Sequence, residues 1–393
     1  MEAGKKKLNW NLIVIVTAVF AAVSVVILLS GIIAHKNAEP EPTQPPVPTE
    51  PPVYAIMNDF DNMVASDISS AYDAATDVKK VFWIEEDAEI APKPNESCYG
   101  QSTDPSTLQW LLDDAAELLD GQETVFHTGI ELLPGSTITY YLDDSIFVVT
   151  WQQVVDNYCY TFSEVKISHP SQFRRYLAGN EYDSDYSHPV SRMGNFTNAV
   201  MASSADFYRG RNHGIIVYQG KVMRTNYSEL VDTCFIDRNG DLILVRAGEL
   251  IGMEAAQAFV DEHNIDFSLA FGPILVEDGV RCEPEMYYLG EVNDKYPRVA
   301  LCQKDELHYL VVAANAKQGY FKSTTIHTFA ENIAELNCQK AYTLDGGRTG
   351  TIAMHGKALN PLQEGHEKWI SDIIYFATAI PSAEEETAAP TTP

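Results

Sequence analysis

The Asp-Gly-Gly turn at residues 345–347 combines an acid with two glycines in an arrangement that could bind a ligand and act on it. Asp345 directly follows an apolar strand pattern at residues 341–344. A carboxylate at the end of a strand is accessible to a ligand, and Gly346 and Gly347 let backbone N–H groups approach an anion. An ordinary hairpin turn has the same composition, so the pattern alone leaves both interpretations open.

Asp206 and Arg298 are the other two main candidates for a functional site. Asp206 follows a short apolar run and precedes a glycine-containing turn, which makes it a natural second carboxylate or, alternatively, a turn cap. Two carboxylates in one site can act as acid, base or nucleophile. Arg298 follows Pro297 and precedes a strand pattern, where its planar guanidinium suits bidentate binding of a phosphate. A surface ion pair is the alternative for Arg298.

Several weaker candidates lie in the same segments or in a neighbouring strand pattern. Those that could bind a phosphate or a sugar hydroxyl are Ser204, Arg211, Arg348 and Thr349. A solvated surface would explain the arginines equally well. Glu164 lies in the strand pattern of residues 158–167 and is a third acid, with a solvent-facing position in that pattern as the alternative.

Three segments carry these candidates in a fixed order. They are residues 198–224 (NAVMASSADFYRGRNHGIIVYQGKVMR), residues 267–279 (FSLAFGPILVEDG) and residues 297–356, which begin PRVALCQKDELHYLVV and end AYTLDGGRTGTIAMHG. In order and spacing they resemble the phosphodiester glycosidase family, over about residues 137–380.

The resemblance implies hydrolysis at the anomeric carbon of a sugar whose leaving group is a phosphate ester. Asp345 would then be the base or nucleophile and Asp206 the partner acid. Arg298 would bind the phosphate, and Gly346 and Gly347 would lie close to it. The implied partner is a carbohydrate or sugar-phosphate substrate in surface polysaccharide or glycoconjugate. We expect neither a cofactor nor a metal.

The chain departs from the usual family pattern at several positions. Ser204 replaces a usual Asn, Arg348 replaces a usual Gly, and residues 313–316 read Ala-Ala-Asn-Ala where the family often has Val-Asp-Gly-Arg. Asp206, Arg298 and Asp345 are retained. These departures leave open a loss of activity, so the alternative function is a non-catalytic glycan-binding protein or an exopolysaccharide or cell-envelope assembly protein on the same fold.

The elements that must position these residues form an α+β pattern, from which we predict a mixed β-sheet core flanked by helices. Helical patterns are predicted at residues 107–120, 170–178, 253–263 and 326–336. Strand patterns are predicted at residues 137–142, 146–151, 158–167, 214–218, 242–245, 299–303, 309–313, 341–344 and 370–377.

Residues 12–34 are almost wholly apolar and long enough to cross a membrane. As a helix they would span about 35 Å, more than the roughly 30 Å hydrocarbon core of a bilayer. The three lysines at residues 5–7 are expected to stay in the cytoplasm. We therefore expect a single-pass cell-membrane protein with a cytoplasmic N-terminus and an extracellular C-terminal domain, a cleaved signal peptide being the alternative.

The chain divides by composition into six predicted parts. These are a cytoplasmic N-terminus (1–11), a transmembrane anchor (12–34), a Pro-rich stalk (35–53), a helical N-terminal extension (54–135), a phosphodiester glycosidase-like domain (136–380) and a disordered acidic tail (381–393). The prolines of the stalk lack N–H donors and favour polyproline II.

The net charge and the cysteine content exclude further classes of function and of binding site. The formal net charge of −28 repels phosphate backbones and excludes sequence-independent nucleic-acid binding. The hydrophobic fraction of 45% is enough for a folded core. The six cysteines include no pair with zinc-site spacing, so no metal site is predicted. Cys302 and Cys338 are the first guess for a disulfide, and buried thiols are the alternative.

Overall fold

The computed structural model describes residues 82–84, 88, 90–125, 132–155, 158–226, 231–283, 294–315 and 323–379. The predicted N-terminus, anchor and stalk (1–53) and the predicted tail (381–393) lie outside the described residues. Among the helices that the structure does describe, none is both long enough and apolar enough to cross a membrane.

A nine-stranded sheet is the largest element of the fold. In spatial order its strands are β1 (Tyr99–Ser102), β2 (Ile138–Leu142), β3 (Ile146–Val155), β4 (Tyr158–Ile167), β15 (His308–Asn315), β14 (Arg298–Asp305), β16 (Lys340–Leu344), β12 (Ile274–Glu277) and β13 (Val280–Arg281). β1 belongs to the predicted helical extension, and it pairs with β2 across the predicted boundary at residue 136.

A five-stranded sheet packs against the large one. Its strands, again in spatial order, are β18 (Lys357–Ala358), β17 (Ile352–Met354), β6 (Met201–Ser204), β19 (Asp372–Phe376) and β5 (Phe173–Leu177). The two sheets share one buried apolar cluster, which includes Val165, Leu301, Val311, Met201, Ile374 and Phe376.

Smaller strands and a helix form a separate apolar cluster. The strands are β7 (Gly214–Tyr218) and β8 (Lys221–Asn226), which pair with each other, and β10 (Leu242–Val245), β9 (Thr233–Asp237) and β11 (Ile265–Leu269), which form a three-stranded sheet. Helix α4 (Met253–Glu262) buries Ala256 and Val260 against Phe235 of β9 in this cluster.

Helices cover the outer faces of the two main sheets. α1 (Thr107–Asp114), α2 (Ala116–Leu119) and α5 (Ile326–Ala334) lie on the nine-stranded sheet, and α3 (Val190–Phe196) lies on the five-stranded sheet. In α5 the Thr325 side chain caps the first turn by accepting from the Thr328 N–H at 3.2 Å. Its buried residues, Ile326, Phe329, Ala330 and Ile333, follow helical spacing.

The predicted α+β class is confirmed in its coarse form, because the described residues are mostly sheet with few helices. The predicted mixed sheet is wrong, since every strand pairing that the structure describes is antiparallel. Helix α5 does carry the chain from β15 to a strand of the same direction, β16. β14 lies between those two strands, however, so no parallel pair forms.

The predicted helix at residues 170–178 is also wrong. The chain forms a short 3₁₀ turn at Pro170–Gln172 and then strand β5. Phe173, Arg175 and Leu177 are buried and alternate with half-buried residues, which is the strand period of two. A buried arginine hides that alternation in the sequence. The other three predicted helices are confirmed, with the first interrupted at Ala115.

Candidate active site

The ends of β6 and β16 join the two main sheets and bring Asp206 and Asp345 into one site. The Asp345 N–H donates to the Ala205 carbonyl at 3.0 Å. The Ser204 hydroxyl donates to the Asp345 carbonyl at 2.8 Å. Because Asp206 follows Ala205 and both aspartates are buried, the two carboxylates lie at the same end of the intersheet core.

The Asp206 carboxylate is held by two backbone N–H groups and one arginine. Oδ1 accepts from the Phe207 N–H at 2.7 Å, and Oδ2 accepts from the Ala270 N–H at 2.8 Å. The Nη2 atom of Arg175 lies 3.7 Å from the same Oδ2. These three contacts fix the orientation of a carboxylate that is only 1% exposed.

Arg175 on β5 connects Asp206 to a third buried carboxylate, Asp372, at the start of β19. Arg175 Nε and Nη2 donate to Asp372 Oδ2 at 3.0 and 2.6 Å. Nη1 donates to the Ser268 carbonyl, and the guanidinium carbon lies 5.5 Å from the centre of the Tyr208 ring. Arg175 therefore acts as a buried brace between two aspartates.

The electrostatics of this cluster favour a proton on a carboxylate near neutral pH. Burial raises the pKa of Asp345 to about 7, and the nearby charges of Asp372 and Asp206 act in the same direction, whereas a hydrogen bond from Thr349 and the charge of Arg211 oppose the rise. Burial also raises the pKa of Asp372, against the opposing effect of Arg175. Asp345 Oδ2 has no hydrogen-bond partner among the described residues.

The glycine loop after Asp345 presses against the start of β14. The Gly347 N–H donates to the Pro297 carbonyl at 2.7 Å. A Cβ on Gly346 would lie 2.5 Å from that carbonyl oxygen and 3.2 Å from Arg298 Cα, so only glycine fits there. Because the Gly347 N–H is engaged in this way, it is not directed at an anion, contrary to the expectation for this loop.

The three arginines that the sequence predicts for the site differ clearly in their surroundings. Arg211 is buried, stacks 4.2 Å from the centre of the Phe271 ring and lowers the pKa of Asp345 through its charge. Arg298 is buried at the start of β14, beside the glycine loop, and donates to the Asp294 carbonyl at 2.8 Å. Arg348 is exposed and lies 3.3 Å from Glu364, so it faces solvent.

Comparison with known proteins identifies the part of the chain that carries this cluster. Residues 197–377 match the phosphodiester glycosidase family. These residues are similar to a phosphodiester glycosidase domain. The match confirms the resemblance seen in the sequence, and it contains Asp206, Asp345 and Asp372. Arg175, which braces two of them, comes before the matched range.

The individual relatives are distant. Over 107 residues the chain is 26% identical to the SPbeta prophage-derived uncharacterized protein YomE of Bacillus subtilis (strain 168), which covers 27% of this chain and 17% of that protein. The chain therefore matches less than a fifth of that relative's length.

Three solved structures also align with the fold. The zebrafish N-acetylglucosamine-1-phosphodiester α-N-acetylglucosaminidase catalytic domain, auto-inhibited by its pro-peptide, aligns with a TM-score of 0.46 at 14% identity over 59% of this chain and 82% of that one. A hypothetical protein from Synechocystis aligns with a TM-score of 0.43 at 12% identity, over 61% of this chain and 63% of that one. A putative exported protein from Burkholderia pseudomallei K96243 aligns with a TM-score of 0.41 at 12% identity, over 56% of this chain and 74% of that one.

Two buried amides that the sequence did not single out hold the far end of the glycine loop. Asn360 Nδ2 and Asn315 Nδ2 donate to the Gly350 carbonyl at 3.0 and 3.3 Å. Asn360 Oδ1 accepts from the Ile352 N–H at 2.7 Å. The loop is thus fixed at both ends, with Thr349 Oγ1 bonded to the Gly346 carbonyl at 2.5 Å between them.

Glu164 does not join the carboxylate cluster. It is fully buried on β4, where its oxygens accept from the Val125 N–H at 3.0 and 2.9 Å and Oε1 lies 2.9 Å from His308 Nε2. Val125 packs in the cluster beneath α1, α2 and α5. Glu164 therefore belongs to the helix-covered face of the sheet, and neither the substrate role nor the solvent-facing alternative describes it.

The cysteines are all free thiols in the structure. Cys302 and Cys338 are in contact within the core, where burial and the neighbouring Cys338 raise the pKa of Cys302. Cys302 and Cys338 therefore lie next to each other, as the predicted disulfide would require, but both are free thiols and the disulfide is not formed. Among the described residues, no group of three or more His, Cys, Asp or Glu side chains could hold a metal ion.

Proposed function

We propose that the protein hydrolyses sugar-1-phosphodiesters and releases a free sugar and a phosphomonoester. One observation carries the proposal: three buried aspartates converge within the residues that match the phosphodiester glycosidase family, and burial raises the pKa of two of them, Asp372 and Asp345, that of Asp345 to about 7. Such a cluster supplies both a proton carrier and negative charge at a reaction centre.

Asp345 is the proton carrier in this mechanism. With a pKa of about 7 its carboxylate is a base matched to neutral pH. The carboxylate removes a proton from a water molecule, whose oxygen bonds to the anomeric carbon as the bond from that carbon to the phosphate oxygen breaks. The proton ends on Asp345, and the leaving group departs as a phosphomonoester.

Asp206 stabilises the positive charge that develops on the sugar ring. Its two backbone N–H contacts and Arg175 keep the carboxylate in one orientation, which costs no reorganisation during the reaction. A phosphate ester is a good leaving group, so the mechanism needs little acid assistance. In this mechanism the charge of the diester is balanced by Arg211, whose charge acts on Asp345, and by Arg298, which lies beside the glycine loop.

The setting of the enzyme is part of the proposal. Residues 12–34 anchor the chain in a cell membrane, and the folded domain lies outside, where it meets surface polysaccharide or glycoconjugate. The apolar segment and the lysines before it support this topology.

A second candidate function is glycan binding or envelope assembly without hydrolysis. Two observations favour it. The Gly347 N–H is engaged by Pro297 and does not face a ligand, and Arg348 points into solvent.

The test measures sugar released by the purified full chain from a panel of methyl diesters of α-hexose-1-phosphates and α-N-acetylhexosamine-1-phosphates. We expect hydrolysis of at least one, with kcat/KM rising as pH increases through about 7, because Asp345 acts in its ionised form. Asp345→Asn lowers kcat by about a thousandfold. Asp113→Asn, at an exposed helix position, leaves it unchanged.

Two outcomes would overturn this function. One is the absence of sugar release from every diester, and the other is full activity in Asp345→Asn. Binding of a diester by both wild type and Asp345→Asn, with no hydrolysis by either, supports the second candidate.

A further inference from the structure

Three ring-bearing side chains form an exposed surface near the carboxylate cluster. The His188 ring lies 5.3 Å from Phe196, edge to face, and 5.5 Å from Trp369, tilted by 38°. Trp369 is 62% exposed and Phe196 is 42% exposed. We call His188, Phe196 and Trp369 the aromatic platform.

The backbone connects this platform directly to the cluster. His188 and Ile370 exchange two backbone hydrogen bonds, of 3.1 and 3.0 Å. Asp372 follows Ile370 by two residues and Trp369 by three. Three residues of extended chain span at most about 11 Å. The Cα atoms of Trp369 and Asp372 therefore lie no more than about 11 Å apart, and the platform lies beside α3 on the outer face of the five-stranded sheet.

The chemistry of the platform suits a sugar. Two aromatic rings offer flat apolar faces, and a pyranose ring presents a matching face of C–H groups. Polar groups lie beside the rings: the exposed Arg192 guanidinium lies 5.3 Å from the centre of the Phe196 ring, and the half-buried His188 imidazole contacts both aromatic rings. Such donors and acceptors fit the hydroxyl edge of the same sugar.

Other occupants fit less well. Three rings cover far less than the roughly 800 Å² per partner that a stable protein interface buries. An anionic lipid surface is disfavoured by the formal net charge of −28.

We infer that the aromatic platform is a sugar-binding subsite, which holds a neighbouring unit of a polymeric substrate while the carboxylate cluster acts on the diester. This inference rests on the proposed function and specifies its substrate class as a polymer with more than one sugar unit. The contribution of the platform is to binding, so it affects KM for long substrates and leaves kcat unchanged.

The test compares two probes on the full chain: the methyl diester of N-acetylglucosamine 1-phosphate, and a short polymer of the same sugar joined through 1-phosphodiesters. We expect Trp369→Ala to raise KM for the polymer about tenfold, the equivalent of one lost stacking contact. KM for the methyl diester stays unchanged, and Trp369→Phe recovers most of the loss. Trp110→Ala, an exposed tryptophan on α1, is the matched control and changes neither value.

Calorimetry in an Asp345→Asn background separates this inference from the proposed function. If the wild type hydrolyses neither probe, the sugar-binding role of the platform is still supported when the polymer binds and Trp369→Ala weakens that binding. Equal KM changes on both probes, or no change on either, would overturn it. A lowered melting temperature in Trp369→Ala with an unchanged polymer KM would show instead that the chain's own residues cover the platform. Loss of vesicle binding alone would assign it to lipid.

Discussion

Replacing Asp345 with asparagine should remove activity and at the same time change how the stability of the fold depends on pH. The carboxyl is 7% exposed, and burial is the main cause of its pKa of about 7. An aspartate in an unfolded chain has a pKa of about 4. The folded protein thus holds the proton more tightly than the unfolded chain, by about three pKa units.

The sign of the effect follows from that difference. Between about pH 4 and pH 7 the unfolded chain releases the proton while the folded protein keeps it, so the free energy of unfolding of the wild type falls as pH rises. Three units at 1.36 kcal/mol each give a loss of about 4 kcal/mol, which is complete above about pH 7. Asparagine has no proton to release, so Asp345→Asn lacks this loss.

The assay is urea denaturation of the full chain at pH 4, 6 and 8, for wild type and Asp345→Asn. The asparagine itself introduces a fixed cost of about 1–3 kcal/mol, because its amide takes the place of an unpaired oxygen. The test is therefore how the difference in the free energy of unfolding changes with pH. Between pH 4 and pH 8 that free energy should rise by about 4 kcal/mol in the variant relative to the wild type. Asp113→Asn is the control and should show no such trend. A stability difference independent of pH would refute the assigned burial of the charge.

Two further predictions concern positions on either side of the sheet. Glu164→Gln should lower the free energy of unfolding by about 1–3 kcal/mol, because the carboxylate that accepts from the Val125 N–H and contacts His308 becomes an amide. The kcat measured well below the melting temperature should be unchanged. A large fall in kcat would place Glu164 in the active site. Gly346→Ala should reduce kcat/KM about a hundredfold with the fold intact by circular dichroism, since its Cβ would meet the Pro297 carbonyl and displace Asp345. Gly194→Ala, where a Cβ would lie 3.4 and 3.7 Å from the Cβ atoms of Ala202 and Ala199 in ordinary contact, is the matched control, and equal losses in both variants would contradict the role of the loop.

The sequence predicted those parts of the fold that depend on local periodicity. The helices at 253–263 and 326–336 follow from apolar residues at helical spacing, and the structure places them within two residues of the predicted ends. The pairing of Asp206 with Asp345 in one site was predicted from the resemblance to the phosphodiester glycosidase family, since the apolar run before each residue is compatible with an ordinary turn. Only the structure shows that the two strand ends are joined through Ala205.

The parts that sequence reasoning missed depend on contacts between distant residues. Arg175 is buried because Asp372, 197 residues away, accepts its hydrogen bonds. When that partner is not known, the central arginine of β5 makes the sequence resemble a surface helix, which is why residues 170–178 were predicted to be helical. Glu164 similarly depends on Val125 and His308, 39 and 144 residues away. A buried charge carries no local signal, so its partner must be known before its position can be predicted.

The outermost strands of the nine-stranded sheet determine how copies of the protein behave when they are crowded together. β1 has four residues and β13 has two, and Arg281 of β13 pairs with Glu283 and Glu331. Short and charged outer strands give another chain little backbone to pair with. The ten-residue strands β3 and β4 inside the sheet are shielded from such pairing. Resistance to aggregation thus depends in part on residues 99–102, which lie well outside the range that matches the family.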